Sequence, residues 1–274
     1  MTDAWRLLRA HNLVIAAVGV LAGGWIALGS VVFPKLLIYA ALSGAALGAA
    51  GNVANDLQDA AADRVNRPAG ERPIAAGRVS RDTAALLVWL GVLLGLGAAA
   101  LVSGAQLVVG ILVLAVMLGY SPVLKRHGPP GNLAVALVAG LPPFYGALAV
   151  GRPAAGVVPW ALAAWIHLAR EIVKDVQDEA GDRALGRRTL PIRLGRPAAI
   201  RTAWWTCIGF VPGSVLLPLA AGYAGVYFVV AALAQGVVLV AARRLRRDRL
   251  ASASLLLKTA MVIGVVALVL GRVT

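Results

Sequence analysis

Charge is what this chain has least of. Only 14% of its 274 residues are Asp, Glu, Lys or Arg, and acids are the scarcer sign, with 12 Asp and Glu against 26 Lys and Arg. Together with 60% hydrophobic residues and a mean hydropathy of +0.82, this excludes an ordinary soluble domain, in which about a quarter of residues are charged. Cysteine is nearly absent. Cys207 alone cannot form an intrachain disulfide, and within an apolar run it reads as a small buried hydrophobe. With three histidines and one cysteine, no Cys or His cluster is available to hold a soft or borderline metal. Alternating ten-residue strand patterns are missing too, which argues against a β-barrel, the other architecture that satisfies its backbone in lipid.

What remains is a series of long apolar runs. About 20 residues at ~1.5 Å each cross a hydrocarbon core, and nine segments have roughly that length. They cover 11–29, 36–55, 83–102, 105–121, 132–150, 155–174, 199–217, 221–242 and 253–271. Gly29-Ser30, the Gly-Pro-Pro-Gly at 128–131 and Arg152-Pro153 fall between runs, where helices break. The first run lacks a small-residue cleavage site and is read as a retained helix rather than a signal peptide. The sequence therefore predicts an all-α, polytopic membrane protein of about nine helices, with 1–274 forming one transmembrane domain.

The net charge of +14 invites a nucleic-acid reading, but the basic residues follow the loops instead of forming a patch. In the nine-helix topology 23 of the 26 lie on one side, and only Lys35, Arg152 and Arg272 lie on the other. That bias predicts a cell-membrane protein with its N-terminus cytoplasmic and its C-terminus outside, and no nucleic-acid partner. The run from Arg243 to Arg249 reads as a topology determinant touching anionic lipid head groups.

Eight of the 12 acids fall in two short windows at cytoplasmic helix ends: Asp56, Asp59 and Asp63, then Glu171, Asp175, Asp178, Glu179 and Asp182. At about 100° per residue, Asn52, Asn55, Asp59 and Asp63 share one stripe of a continuous helix, with Asp56 at its edge. Glu171, Asp175, Asp178 and Asp182 share another. Like charges so spaced repel and are costly to desolvate near a bilayer, so a cation should neutralise them. One possibility is solvated helix ends paired with Arg64, Arg67, Arg183 and Arg187. The other is a hard divalent ion: all-oxygen donors with an amide such as Asn55 suit Mg²⁺, commonly shared with phosphate oxygens. Two such stripes face to face would cage a diphosphate.

Asn55-Asp56-x-x-Asp59-x-x-x-Asp63-Arg64 and Asp175-x-x-Asp178-x-x-x-Asp182-Arg183 resemble the two aspartate-rich motifs of the UbiA superfamily of intramembrane prenyltransferases. NRPAGERPIAAGRVS (66–80), YSPVLKRHGPPGN (120–132) and TLPIRLG (189–195) are also similar, and the resemblance covers nearly the whole chain. It implies helices around a central cavity open to lipid, with both motifs at its cytoplasmic mouth. The substrates would be a prenyl diphosphate and a lipid-soluble acceptor. By that resemblance Asn55, Asp59 and Asp63 hold one Mg²⁺, and Asp178 with Asp182 and Asp175 hold a second, the two ions bridging the diphosphate. Lys125 and Arg72, then Arg67 and Lys174, are the basic candidates for the leaving group, and Tyr120 is placed to orient the diphosphate or face an allylic cation. Asn52 and Asp56 are assigned to substrate binding, and Ala60-Ala61-Ala62 reads as clearance for the diphosphate.

The acceptor is suggested by the second motif. Lys174 stands where family members that prenylate aromatic acids often carry tyrosine, and Arg170 to Asp182 resembles the branch that transfers geranylgeranyl to geranylgeranylglyceryl phosphate. His11-Asn12 resembles that branch as well. Glu171 is a candidate for the acceptor's proton, or else pairs with Lys174 or Arg170. His167 reads as a hydrogen-bonded structural residue. An aromatic, quinone-type or tetrapyrrole acceptor is the alternative, supported by the DRALG run at 182–186. An ion-coupled transporter is the alternative of another class, disfavoured because all the clustered acids but Glu171 sit at helix ends.

Overall fold

A computed structural model describes residues 3–66, 72–120 and 128–273, apart from the side chains of Ala4 and Tyr120. All regular structure among them is helical. A short α1 (Asp3–Leu8) turns into α2 (Ala10–Leu28) through Arg9, whose φ of 53° and ψ of 57° are left-handed. Gly29 ends α2 in the same region at φ 72°, and Pro34 opens α3 (Lys35–Gln58), which leads into α4 (Ala60–Asn66). The N-cap of α5 (Arg81–Ala100) is Ser80, whose hydroxyl accepts from the Thr83 amide at 3.1 Å. Then come α6 (Gly104–Tyr120), α7 (Pro129–Ala139), α8 (Pro142–Ala149), α9 (Pro153–Gln177) and α10 (Glu179–Ala184). The chain ends with α11 (Leu190–Leu194), α12 (Arg196–Ala220), α13 (Gly225–Leu245) and α14 (Leu250–Val273).

Each of the nine predicted runs has a counterpart, but they are not alike. Six helices, α2, α3, α5, α12, α13 and α14, are long and apolar enough to cross a bilayer. The run at 132–150 is instead two helices, α7 and α8, bent by 43°. Pro142 and Pro143 have no amide proton to continue the ladder of α7, so the turn closes with the Leu141 amide on the Val138 carbonyl at 3.2 Å. α6 is short, and α9 is long but more polar in its last turns.

The outward faces are apolar: Trp89, Leu93 and Val229 are about 70% exposed, which is stable only if the surrounding solvent is lipid. Inside, close helix approach replaces the hydrophobic effect. A Cβ on Gly146 of α8 would lie 1.8 Å from the Val20 carbonyl oxygen of α2, so the two backbones nearly touch. Several buried polar groups pair across helices. Ser43 on α3 donates to the Gly95 carbonyl of α5 at 2.8 Å and lies 2.9 Å from the Tyr145 hydroxyl, while Gln106 of α6 donates to the Tyr145 carbonyl at 3.0 Å. This multi-pass bundle leaves α3–α4 and α9–α10, the segments that carry the acids, ending side by side.

Candidate active site

Both acidic windows have the same local shape. α3 stops at Gln58 and α4 starts at Ala60, with Asp59 between them at φ −92°, ψ 4°. In the second window α9 stops at Gln177 and α10 starts at Glu179, with Asp178 at φ −95°, ψ 5°. The Asp59 amide donates to the Asn55 carbonyl and the Asp178 amide to the Lys174 carbonyl, both at 2.8 Å. Residues 119 apart, Asp56 and Asp175, Asp59 and Asp178, Asp63 and Asp182, thus occupy equivalent places of an internal repeat. The continuous-helix stripes are corrected accordingly. The stripes break at Asp59 and Asp178, so Asp63 and Asp182 belong to separate short helices.

Those two short helices dock on each other. Asn66 donates through Nδ2 to the Asp178 carbonyl at 3.2 Å, and its Oδ1 accepts from the Gly181 amide at 2.8 Å. A Cβ at Gly181 would come within 2.5 Å of Asn66 Nδ2 and 2.8 Å of the Ala62 carbonyl oxygen, so glycine is required by proximity. Ala62 is buried at this contact, Ala60 is buried against Leu7, Val53 and Ala84, and Ala61 is exposed. Ala62 lets α4 approach α10 at Gly181, a packing role beside the clearance for a diphosphate expected of the run.

Five aspartates, Asp56, Asp59, Asp63, Asp175 and Asp182, are buried, while Asp178 and Asn55 are half-buried. Asp56 accepts from Arg9 and, at 3.2 Å, from Arg72, whose Nε also lies 3.7 Å from Asp63. Asp175 accepts from Asn132 Nδ2 at 2.8 Å. Arg187 joins the motifs directly: its Nη2 donates to Asp59 and its Nη1 to Asp182 at 2.8 Å. Burial disfavours the Arg187 charge, but Asp59 and then Asp182 outweigh it and hold the guanidinium above its ordinary range. The solvated-pair alternative is only partly right. Arg64 and Arg183 are exposed and bond the Ala75 carbonyl and Glu179, neither of them an acid of the two stripes, whereas Arg187 is a buried bridge.

Other expected residues are placed less centrally. Asn52 donates to the Leu8 carbonyl at 3.3 Å and so anchors α1. His11 is exposed on the first turn of α2, with Asn12 half-buried beside it. Glu171 is buried and takes both cations weighed for it, Lys174 at 3.0 Å and Arg170 at 3.5 Å. His167 departs from expectation: its Nδ1 is buried and has no hydrogen-bond partner among the described residues. Lys125, Arg67 and the side chain of Tyr120 lie outside what is described. Arg9, Asn66, Asn132 and Arg187 are the additions. Arg187 had a weak signal, five residues after Asp182, but only the fold reveals the other three.

The donor set fits Mg²⁺. Its oxygens are hard, several carboxylates come from facing segments, and Asp59 and Asp182 already meet at one cationic group. Among the described residues, no three Asp, Glu, His or Cys side chains form a ready cage in this conformation. A cleft of about 620 Å³ on α12 and α13, lined by Arg196, Arg201, Trp204 and Arg246, includes none of these aspartates.

The model of the UbiA prenyltransferase family matches residues 16–264. A digeranylgeranylglyceryl phosphate synthase from Halobacterium salinarum is 36% identical over 275 residues, covering 97% of this chain and 95% of its own. The same synthase from Thermococcus gammatolerans is 38% identical over 223 residues, covering 80% and 79%. Among solved structures, a UbiA homolog from Aeropyrum pernix superimposes with a TM-score of 0.80 at 23% identity, covering 98% of each chain. A UbiA homolog from Archaeoglobus fulgidus bound to GPP and Mg²⁺ gives a TM-score of 0.71 at 16% identity, covering 97% and 99%.

Proposed function

The chain belongs to the UbiA prenyltransferase family and is a prenyltransferase, and from that premise we propose that it transfers geranylgeranyl from its diphosphate to the free hydroxyl of geranylgeranylglyceryl phosphate. This would be an ether-lipid step. The observation that carries the reading is the near full-length likeness to synthases of that name, joined to two repeat-related carboxylate segments docked on each other. The Archaeoglobus relative, which shares the fold, holds a prenyl diphosphate with Mg²⁺.

Asn55, Asp59 and Asp63 would hold one Mg²⁺, and Asp175, Asp178 and Asp182 the other. When bound, Mg²⁺ neutralises charge developing on the departing diphosphate. Arg187 and Asn66 keep the two segments together, and Arg72, seated on Asp56 and Asp63, presents positive charge beside the first of them. Lys125 and Arg67 are assigned to the same neutralisation, and Tyr120 to facing the allylic cation; Lys174, held by Glu171, is left out of it. The C–O bond to diphosphate breaks with both electrons leaving on the phosphate oxygen. The acceptor hydroxyl then attacks the allylic carbon and sheds its proton. Glu171 is committed to Lys174 and Arg170, so it is not assigned that proton. The site would open on the cytoplasmic side of the cell membrane.

A Mg²⁺-dependent assay with radiolabelled geranylgeranyl diphosphate, offered glyceryl-phosphate lipid and aromatic acceptors in parallel, tests this. Transfer to the glyceryl phosphate is expected, with Asp59→Ala and Asp178→Ala each lowering turnover at least ~100-fold. Transfer only to aromatic acceptors sinks the acceptor assignment. Intact turnover in both variants sinks the two-ion arrangement.

A further inference from the structure

Where α2, α9 and α14 pack together, a second polar group lies beside the aspartates. Arg170 and Lys174, one turn apart on α9, both pair with Glu171. Lys258 lies on α14, which packs against α9, in the apolar run LLLKTAMV, where topology alone would make it a charge near a helix end. It is half-buried, and its charged neighbours are Arg170, Lys174 and Arg9, all of its own sign. Among the described residues it makes no hydrogen bond or ion pair. Arg9 is committed to Asp56, and the Nε atoms of both Arg9 and Arg170 are buried without a partner.

Arg170 and Lys174 pair with one carboxylate, Glu171, and Lys258 adds a third positive charge beside them, in a membrane protein where unneutralised charge is costly and by default functional. The surplus of two positive charges matches a phosphate monoester, which carries about −1.5 to −2 near neutral pH. The diphosphate already has carboxylate-held cations and Arg72 assigned to it. Successive turns of α9 carry Arg170, Lys174 and Asp178, about 5–6 Å apart. An anion held at Lys174, the member of the trio nearest Asp178, therefore lies about one turn (~6 Å) from it, within a glycerol's reach.

Resting on the acceptor reading above, we propose that Lys258, with Arg170 and Lys174, forms the subsite for the acceptor's phosphate, and so selects a phosphorylated glycerol ether over an uncharged or aromatic acceptor. The test uses the full chain in lipid nanodiscs, with Lys258→Gln and Lys258→Arg compared with the unaltered protein. Loss of one charge-assisted contact predicts that Lys258→Gln raises KM for geranylgeranylglyceryl phosphate about 10–100-fold while KM for geranylgeranyl diphosphate stays within about twofold. Lys258→Arg should recover most of the loss. An unchanged acceptor KM, or an equal rise in both KM values, overturns the subsite, the latter by assigning the cluster to the diphosphate. Should Lys258→Gln not fold, Arg170→Gln is read by the same criteria. If the unaltered protein fails to use the glyceryl phosphate at all, the acceptor reading has failed, separately from this one.

Discussion

At the residue scale the centre of the site is Arg187, a buried guanidinium forked between Asp59 of one motif and Asp182 of the other. Removing one partner of a buried ion pair costs about 3–5 kcal/mol, because the charge left behind is unsolvated. Arg187→Met should therefore lower the thermal midpoint clearly, and Arg187→Lys should recover little of it, since an ammonium cannot span two carboxylates as a fork does. Mg²⁺ should raise the midpoint of Arg187→Met more than that of the unaltered protein, because a ligand stabilises whichever native state binds it more tightly. Thermal unfolding with Mg²⁺ or with EDTA measures both effects. An Arg187→Met variant that melts like the parent would show that the bridge carries no stability.

At the scale of elements, the proposed mechanism makes turnover depend on how closely α4 and α10 approach. Gly181→Ala would set a methyl group 2.5 Å from Asn66 Nδ2 and 2.8 Å from the Ala62 carbonyl, so the two segments must separate. A displacement near 1 Å can cost about 100-fold in rate, so turnover should fall by roughly 10–100-fold with little change in the melting midpoint. Gly146→Val acts differently. It overpacks the α2–α8 seam, far from the acids, and should cost about 1–3 kcal/mol of stability, seen as a lowered midpoint with KM unchanged in the folded fraction. Steady-state kinetics set beside melting curves separate the two, and a Gly181→Ala enzyme with full turnover would remove the docking argument. Neither helix break at Asp59 or Asp178 was legible beforehand. No Gly or Pro marks them, and 100° spacing assumes the straight helix that they interrupt.

For the whole molecule, the basic bias of the loops predicts that Arg247 lies inside and Ser30 outside. In a cysteine-free background, with buried Cys207 replaced, a membrane-impermeant maleimide applied to intact cells should label Ser30→Cys and spare Arg247→Cys. The reverse pattern would invert the proposed orientation. Sequence alone determined the solvent, the helices and the acids, since a chain this apolar must satisfy its backbone within helices, and carboxylates grouped at their ends require a cation. Only tertiary structure decided which of the chain's own side chains meet there. Arg9 and Arg72 on Asp56, Asn132 on Asp175, Arg187 across both motifs and Lys258 left among like charges join residues from distant parts of the chain. Helical spacing sets which side chains share a face of one helix, and pairings between helices are settled by how the helices pack.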